Sequence, residues 1–73
     1  MEIYVVVDED GEPMQASEDF DRLARWVKQR AEDAFKDYED EENAELDVDG
    51  LEASITVDGE TQWELTYKTV NLL

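Results

Sequence analysis

Eight carboxylates occupy the thirteen positions from Asp37 to Asp49 (Asp37, Glu39, Asp40, Glu41, Glu42, Glu45, Asp47 and Asp49), with no lysine or arginine among them. Such a density of acids has three chemical uses: paired proton transfer, ligation of a hard cation, or a fixed anionic surface for a cationic partner. The first is poorly supported. The chain has no histidine and no cysteine, so the commonest general base and the readiest nucleophile are missing. Ser17 and Ser54 have no visible base and read as a helix cap and a sheet-face residue. A single thin core also leaves little room for a buried cleft that would separate two carboxyl pKa values. No catalytic residue is expected, and the chain does not read as an enzyme.

The second use fails on spacing. If Gly50 is the sixth residue of an EF-hand loop, Glu45, Asp47 and Asp49 take positions one, three and five, but the twelfth is Thr56 rather than a bidentate glutamate. The same test at Gly11 puts Val6 first and Ser17 twelfth. No resident metal or cofactor is expected, beyond weak, non-specific divalent binding at Asp47 and Asp49.

The third use fits the magnitude. Twenty-two acids against six bases give 73 residues a formal charge of −16, where a small soluble domain is well served by a magnitude of about 2–8. A second block, Asp8 to Asp21, has seven acids and no base, and five of the six bases fall between Arg22 and Lys36. Charge of this sign excludes nucleic acid and anionic membrane as direct partners and calls for a basic protein surface. Duplex DNA carries a negative charge every ~1.7 Å of axis. Carboxylates repeat at about 6.7 Å along a strand face and about 6 Å along a helix face, so a small fold can array them as a phosphate mimic. Glu39, Asp40, Glu41, Glu42 and Glu45 are the first candidates for partner contact, then Asp37, Asp47 and Asp49, with Tyr4, Trp26 and Tyr38 as candidate aromatic anchors.

The elements that must hold these groups are readable in outline. "IYVVV" at 3–7 reads as a strand, "DEDGEP" as a turn and "EPMQA" as a short return strand that Pro13 confines to a sheet edge. Phe20, Leu23, Ala24, Val27, Ala31, Ala34, Phe35 and Tyr38 form one apolar stripe at helical spacing. The stripe predicts a helix from Ser17, as N-cap, to Tyr38, about 33 Å long. Trp26 lies at its flank. Leu51, Ala53, Ile55 and Val57, then Trp63, Leu65 and Tyr67, read as the strands of a hairpin. A two-residue Asp58-Gly59 turn would split these sets between faces. The parity therefore favours a three-residue loop with a bulge, pairing Ala53 with Trp63 and Glu52 with Glu64.

The expectation is one α+β domain over residues 1–73: strand or hairpin, helix, then C-terminal hairpin, with a small antiparallel sheet and one long helix packed on one face. No signal-peptide pattern or membrane-length apolar run is present, so a cytoplasmic protein is expected.

In size, charge and layout the chain resembles the small acidic proteins that bacteriophages use against host defences, in particular the DNA-mimic anti-CRISPR proteins. An acidic helix-end-to-loop segment such as "DYEDEENAE" (37–45) is typical of that group. The resemblance covers the whole chain in character and rests on no specific motif. It implies a non-enzymatic inhibitor, acting in the infected host cell as monomer or dimer, that occupies the DNA-binding or PAM-reading surface of a CRISPR effector. A restriction enzyme or another DNA-binding protein is an equally physical target. The alternative is a halophilic housekeeping or interaction domain whose acids only maintain solubility, since concentrated salt would screen their repulsion. An idealised scaffold fits less well, given the off-stripe Trp26 and an acidic helix C-terminus.

Overall fold

The computed structural model describes residues 1–71. In chain order the elements are β1 (Glu2–Val7), β2 (Pro13–Ser17), α1 (Phe20–Phe35), a 3-10 turn (Lys36–Tyr38), β3 (Ala44–Asp49), β4 (Glu52–Val57) and β5 (Glu60–Asn71). The five strands form one sheet in spatial order β2-β1-β5-β4-β3, and every neighbouring pair is antiparallel. The fold is α+β, with α1 covering one sheet face.

The helix is shorter than its apolar stripe predicts. Its 16 residues span about 24 Å, and the cap is Asp19 rather than Ser17. Ser17 is held in the sheet ladder opposite Tyr4, so its backbone cannot enter the helix. Its hydroxyl instead accepts from the Asp19 N–H at 3.0 Å. Asp19 has extended backbone (φ −96°), and its carboxylate accepts from the Arg22 N–H at 3.2 Å, satisfying one of the unpaired donors of the first turn. At the other end the last turn contains no base, and the chain tightens into the 3-10 turn at Lys36.

Leu23, Val27 and Ala31 from the helix pack against Val6, Ala53 and Leu65 from the sheet and Leu51 from the turn between β3 and β4; Tyr4, Ala24, Trp26, Leu46, Val48 and Trp63 close the rim. Ile55 is also fully buried, and no charged or polar side chain is. Phe20 lies beyond this core, 40% exposed, with its ring edge-to-face on Tyr4 at 5.4 Å between centroids.

Two features depart from the sequence reading. Residues 44–49 form a strand, β3, at the sheet edge. Glu45, Asp47 and Asp49 alternate with the half-buried Ala44, Leu46 and Val48, a two-residue period whose apolar half is too small to stand out among the acids. The C-terminal hairpin also turns differently. Val57 pairs with Glu60 across a two-residue Asp58-Gly59 turn, and both turn residues have positive φ, 54° and 82°, as a type I′ turn requires. The parity conflict is resolved farther along: Thr56 faces Thr61 but Ile55 faces Trp63, so Gln62 is an extra residue on β5. This bulge returns Trp63 and Leu65 to the inner face beside Ile55 and Ala53. Glu52 therefore faces Asp49 on β3, and Glu64 faces Ser54; the expected Glu52–Glu64 pair does not form.

The β3–β4 connection is equally tight. Asp49 and Glu52 flank Gly50-Leu51. Gly50 has φ 61° while Leu51 does not have positive φ, the sign pattern of a type II′ turn, and this aims Leu51 into the core. A Cβ on Gly50 would stand 3.3 Å from Cζ of Phe20.

Candidate anionic interface

Among the described residues, no element covers the sheet face opposite α1. On its β3–β4 side the cross-strand register stacks polar groups in rows: Glu45–Thr56–Thr61, Asp47–Ser54–Glu64, and Asp49–Glu52. Asp47, Asp49, Glu52, Ser54, Glu64 and Thr66 line one shallow depression. Successive rows lie about 6.7 Å apart and neighbouring strands about 4.8 Å apart. Five carboxylates (Glu45, Asp47, Asp49, Glu52, Glu64) thus share a patch of roughly 13 by 10 Å. All five are exposed, and among the described residues no cluster of three or more carboxylates could hold a metal ion.

Asp37 lies in the 3-10 turn, and Glu39, Asp40, Glu41 and Glu42 in the irregular segment that leads into β3. The Glu41 N–H donates to the Tyr38 carbonyl at 3.0 Å, and Asn43 turns the chain into β3 with φ 62° while its side-chain amide donates to Asp58 Oδ1 at 2.8 Å. This segment continues directly into the strand carrying Glu45, Asp47 and Asp49. Glu52 and Glu64, which the sequence places on the outer face as an opposed pair without counting them among the partner contacts, join the patch instead beside Asp49 and Ser54. Both occupy outward positions of strands recognised by their inward apolar residues, and that parity was the available signal.

Hydrogen bonding sorts the acids. Asp8 Oδ1 accepts from the N–H groups of Asp10 and Glu12, both at 2.9 Å, and so shapes the first hairpin loop. Asp19 caps α1, Asp58 holds Asn43, and Asp33 meets Gln29 and, at 3.7 Å, Lys36. By contrast, Asp37, Glu39, Asp40, Glu41, Glu42, Glu45, Asp47, Asp49, Glu52 and Glu64 make no side-chain hydrogen bond or ion pair among the described residues.

Most bases lie elsewhere; Lys36 begins the 3-10 turn, and Lys68 stands on the uncovered face of β5, opposite Val5. α1 carries four of them (Arg22, Arg25, Lys28, Arg30) against three acids, a formal +1, so the rest of the chain accounts for −17 of the total −16. Of the candidate aromatic anchors, Tyr4 and Trp26 pack against the core on the helix side of the sheet, away from the carboxylate patch. Tyr38 is half-buried beside the acidic segment. The most exposed tyrosine is Tyr67, at 41%.

No family model, curated protein or solved structure matches the chain. Among the described residues, no helix is long and apolar enough to cross a membrane.

Proposed function

We propose that the chain is a non-enzymatic inhibitor that presents nucleic-acid-like charge to a basic nucleic-acid-binding protein, such as a CRISPR-type effector of host defence. The observation that carries this reading is the set of ten carboxylates, successive along the chain from the 3-10 turn through β3 and aligned across to β4 and β5, whose side chains make no hydrogen bond or ion pair among the described residues. Along ~13 Å of β3 the patch presents five charges, where duplex DNA presents about eight. The densities agree within a factor of two, enough to compete for a groove lined with lysine and arginine. Occupying that groove would relieve the acid–acid repulsion, so part of the fold's electrostatic strain would return as affinity, and steering would make association fast and salt-sensitive.

The test uses two sets of substitutions, Glu39→Gln, Asp40→Asn, Glu41→Gln, Glu42→Gln and, separately, Glu45→Gln, Asp47→Asn, Asp49→Asn, Glu52→Gln. Immobilised wild-type protein should retain a specific basic DNA-binding protein from bacterial lysate and release it only at high salt. Each variant should fold at least as well and lose that retention. Retention unchanged by both sets would refute the reading.

One observation favours a second reading, a halophilic domain whose acids only keep it hydrated. Acids also fill the first hairpin loop and the start of α1, and among the described residues only one Lys or Arg side chain pairs with a carboxylate, Lys36 with Asp33. Far-UV circular dichroism decides between the two. A native spectrum at about 0.1 M salt supports the inhibitor; folding only near molar salt supports the halophile.

A further inference from the structure

β3 ends the sheet in the order β2-β1-β5-β4-β3, so among the described residues one side of its backbone has no neighbouring strand. Which groups face that open side follows from the turn. Asp49 and Glu52 close a two-residue connection, which makes them a hydrogen-bonded pair, and antiparallel pairing repeats such pairs at every second residue. Asp47 with Ser54 and Glu45 with Thr56 are therefore hydrogen-bonded too, and the Asp58 N–H on the Asn43 carbonyl continues the phase. Ala44, Leu46 and Val48 point their N–H and C=O groups the other way, outward, and among the described residues no backbone group of another segment reaches them. Proline or a bulge blunts such an edge. β2, at the other end of the sheet, has both Pro13 and a register shift between Val6 and Val7. β3 has neither and pairs with β4 without a shift.

Beside this edge lies a crevice of about 360 Å³, walled by Asp21, Ala24, Arg25 and Lys28 of α1 and by Val48 and Gly50. Ala24 and Val48, both half-buried, give it an apolar floor, while Arg25 and Lys28 are exposed.

We propose that the β3 edge receives an extended basic segment of the partner as an added strand, seated between the carboxylate face and this crevice. The side chains of an added strand alternate between faces as those of β3 do. On the outer face they meet Glu45, Asp47 and Asp49, exposed and without a counter-ion, which lysine or arginine complements. On the helix side they enter the crevice, where Ala24 and Val48 suit an apolar group and Arg25 and Lys28 disfavour a basic one. The occupant is thus a segment in which basic and apolar residues alternate. A second copy does not fit. Antiparallel pairing of β3 with another β3 would oppose Glu45, Asp47 and Asp49 of one copy to those of the other, and directly opposed like charges are destabilising. The proposal deepens the inhibitor reading and rests on it for the partner's identity as a basic DNA-binding protein. What it adds is a backbone ladder: charge steers the partner, and the ladder fixes its register.

Calorimetric titration of the whole chain with a capped Lys-Val-Lys-Val-Lys-Val-Lys peptide, in about 50 mM salt to limit screening, tests this. In an antiparallel ladder the valines lie opposite Ala44, Leu46 and Val48, so their N–H groups bond to the edge while the lysine N–H groups face water. N-methylating the valine amides should weaken binding about tenfold or more through the lost hydrogen bonds. N-methylating the lysine amides, with equal charge and equal added bulk, should leave affinity within about threefold, since no ladder bond is lost. Amide hydrogen exchange at Leu46 and Val48 should slow when the unmethylated peptide binds. Equal losses from the two methylated peptides, unchanged exchange at Leu46 and Val48, or no binding of the unmethylated peptide would overturn the proposal. Carboxylate-dependent retention from lysate together with equal losses would leave the inhibitor reading standing without strand addition. Peptide binding that depends on the valine amides, with no protein retained from lysate, would support the edge site and overturn the inhibitor reading.

Discussion

Asp49 and Glu52 directly oppose each other across a two-residue turn, both exposed and without a counter-ion. Replacing Glu52 with lysine converts this like-charge pair to an opposite-charge pair. Opposed side chains on neighbouring strands lie about 5 Å apart, where two unit charges interact by about 0.8 kcal/mol in bulk dielectric. Reversing the sign shifts stability by about twice that, ~1.6 kcal/mol, when screening is negligible. A Debye length of ~8 Å at 0.15 M salt leaves roughly half the effect, and ~3 Å at 1 M leaves roughly a fifth. In a domain of this size 1 kcal/mol moves Tm by about 4–8 °C, so Glu52→Lys should melt about 6–12 °C higher in ~10 mM salt and only ~1–3 °C higher at 1 M. The assay is thermal unfolding followed by circular dichroism. Glu52→Gln is the control: it removes the like-charge pair without creating an opposite-charge one, and should give about half the gain. Equal gains from the two substitutions at low salt, or a Glu52→Lys gain that persists at 1 M, would refute the cross-strand account.

Two further expectations follow from the corrected boundaries. Asp19→Ala should cost about 1 kcal/mol by removing the N-cap, with a smaller loss for Ser17→Ala, and urea unfolding of the two variants ranks them; the reverse order would return the cap to Ser17. Deleting Gln62 should keep thermal unfolding cooperative, because Thr56 then still faces Thr61 and Ile55 still faces Trp63 in an unbroken ladder, with Trp63 and Leu65 on the inner face; a non-cooperative melt would refute the assignment of Gln62 as the extra residue.

Where side-chain periodicity was strong, the sequence was a sufficient guide. The valines of β1, the Leu23–Val27–Ala31 stripe and the inward residues of β4 and β5 all lie where their spacing puts them. Periodicity failed where one half of it was weak. In β3 only Leu46 and Val48 stand for the apolar set, and three acids dominate the segment. The hairpin register failed for another reason: a bulge at Gln62 has no compositional signature, so a correct parity argument selected the wrong loop length. The acidic site was half legible. Its density in residues 37–49 is plain in the sequence, and so is the outward position of Glu52 and Glu64, but the rows that join them to Asp49 and Asp47 are visible only once β3, β4 and β5 are in register. The sorting of capping and loop-shaping acids from unoccupied ones needed the hydrogen bonds themselves.

The 12-residue β5 runs through the middle of the sheet, pairing with β4 by its first half and with β1 by its second. Among the described residues, no other strand joins the N-terminal hairpin to the β3–β4 hairpin. As the ribosome extends the chain, those two hairpins must wait as separate pieces until Glu60–Asn71 is available to insert between them. Assembly is therefore governed by contacts spanning almost the entire chain, such as Glu2 with Asn71, which puts this small protein among the slow, non-local folders of its size. Until insertion, the edges of β1 and β4 are open to strands from other molecules, and mutual repulsion between nascent acidic chains then acts as a guard against mispairing.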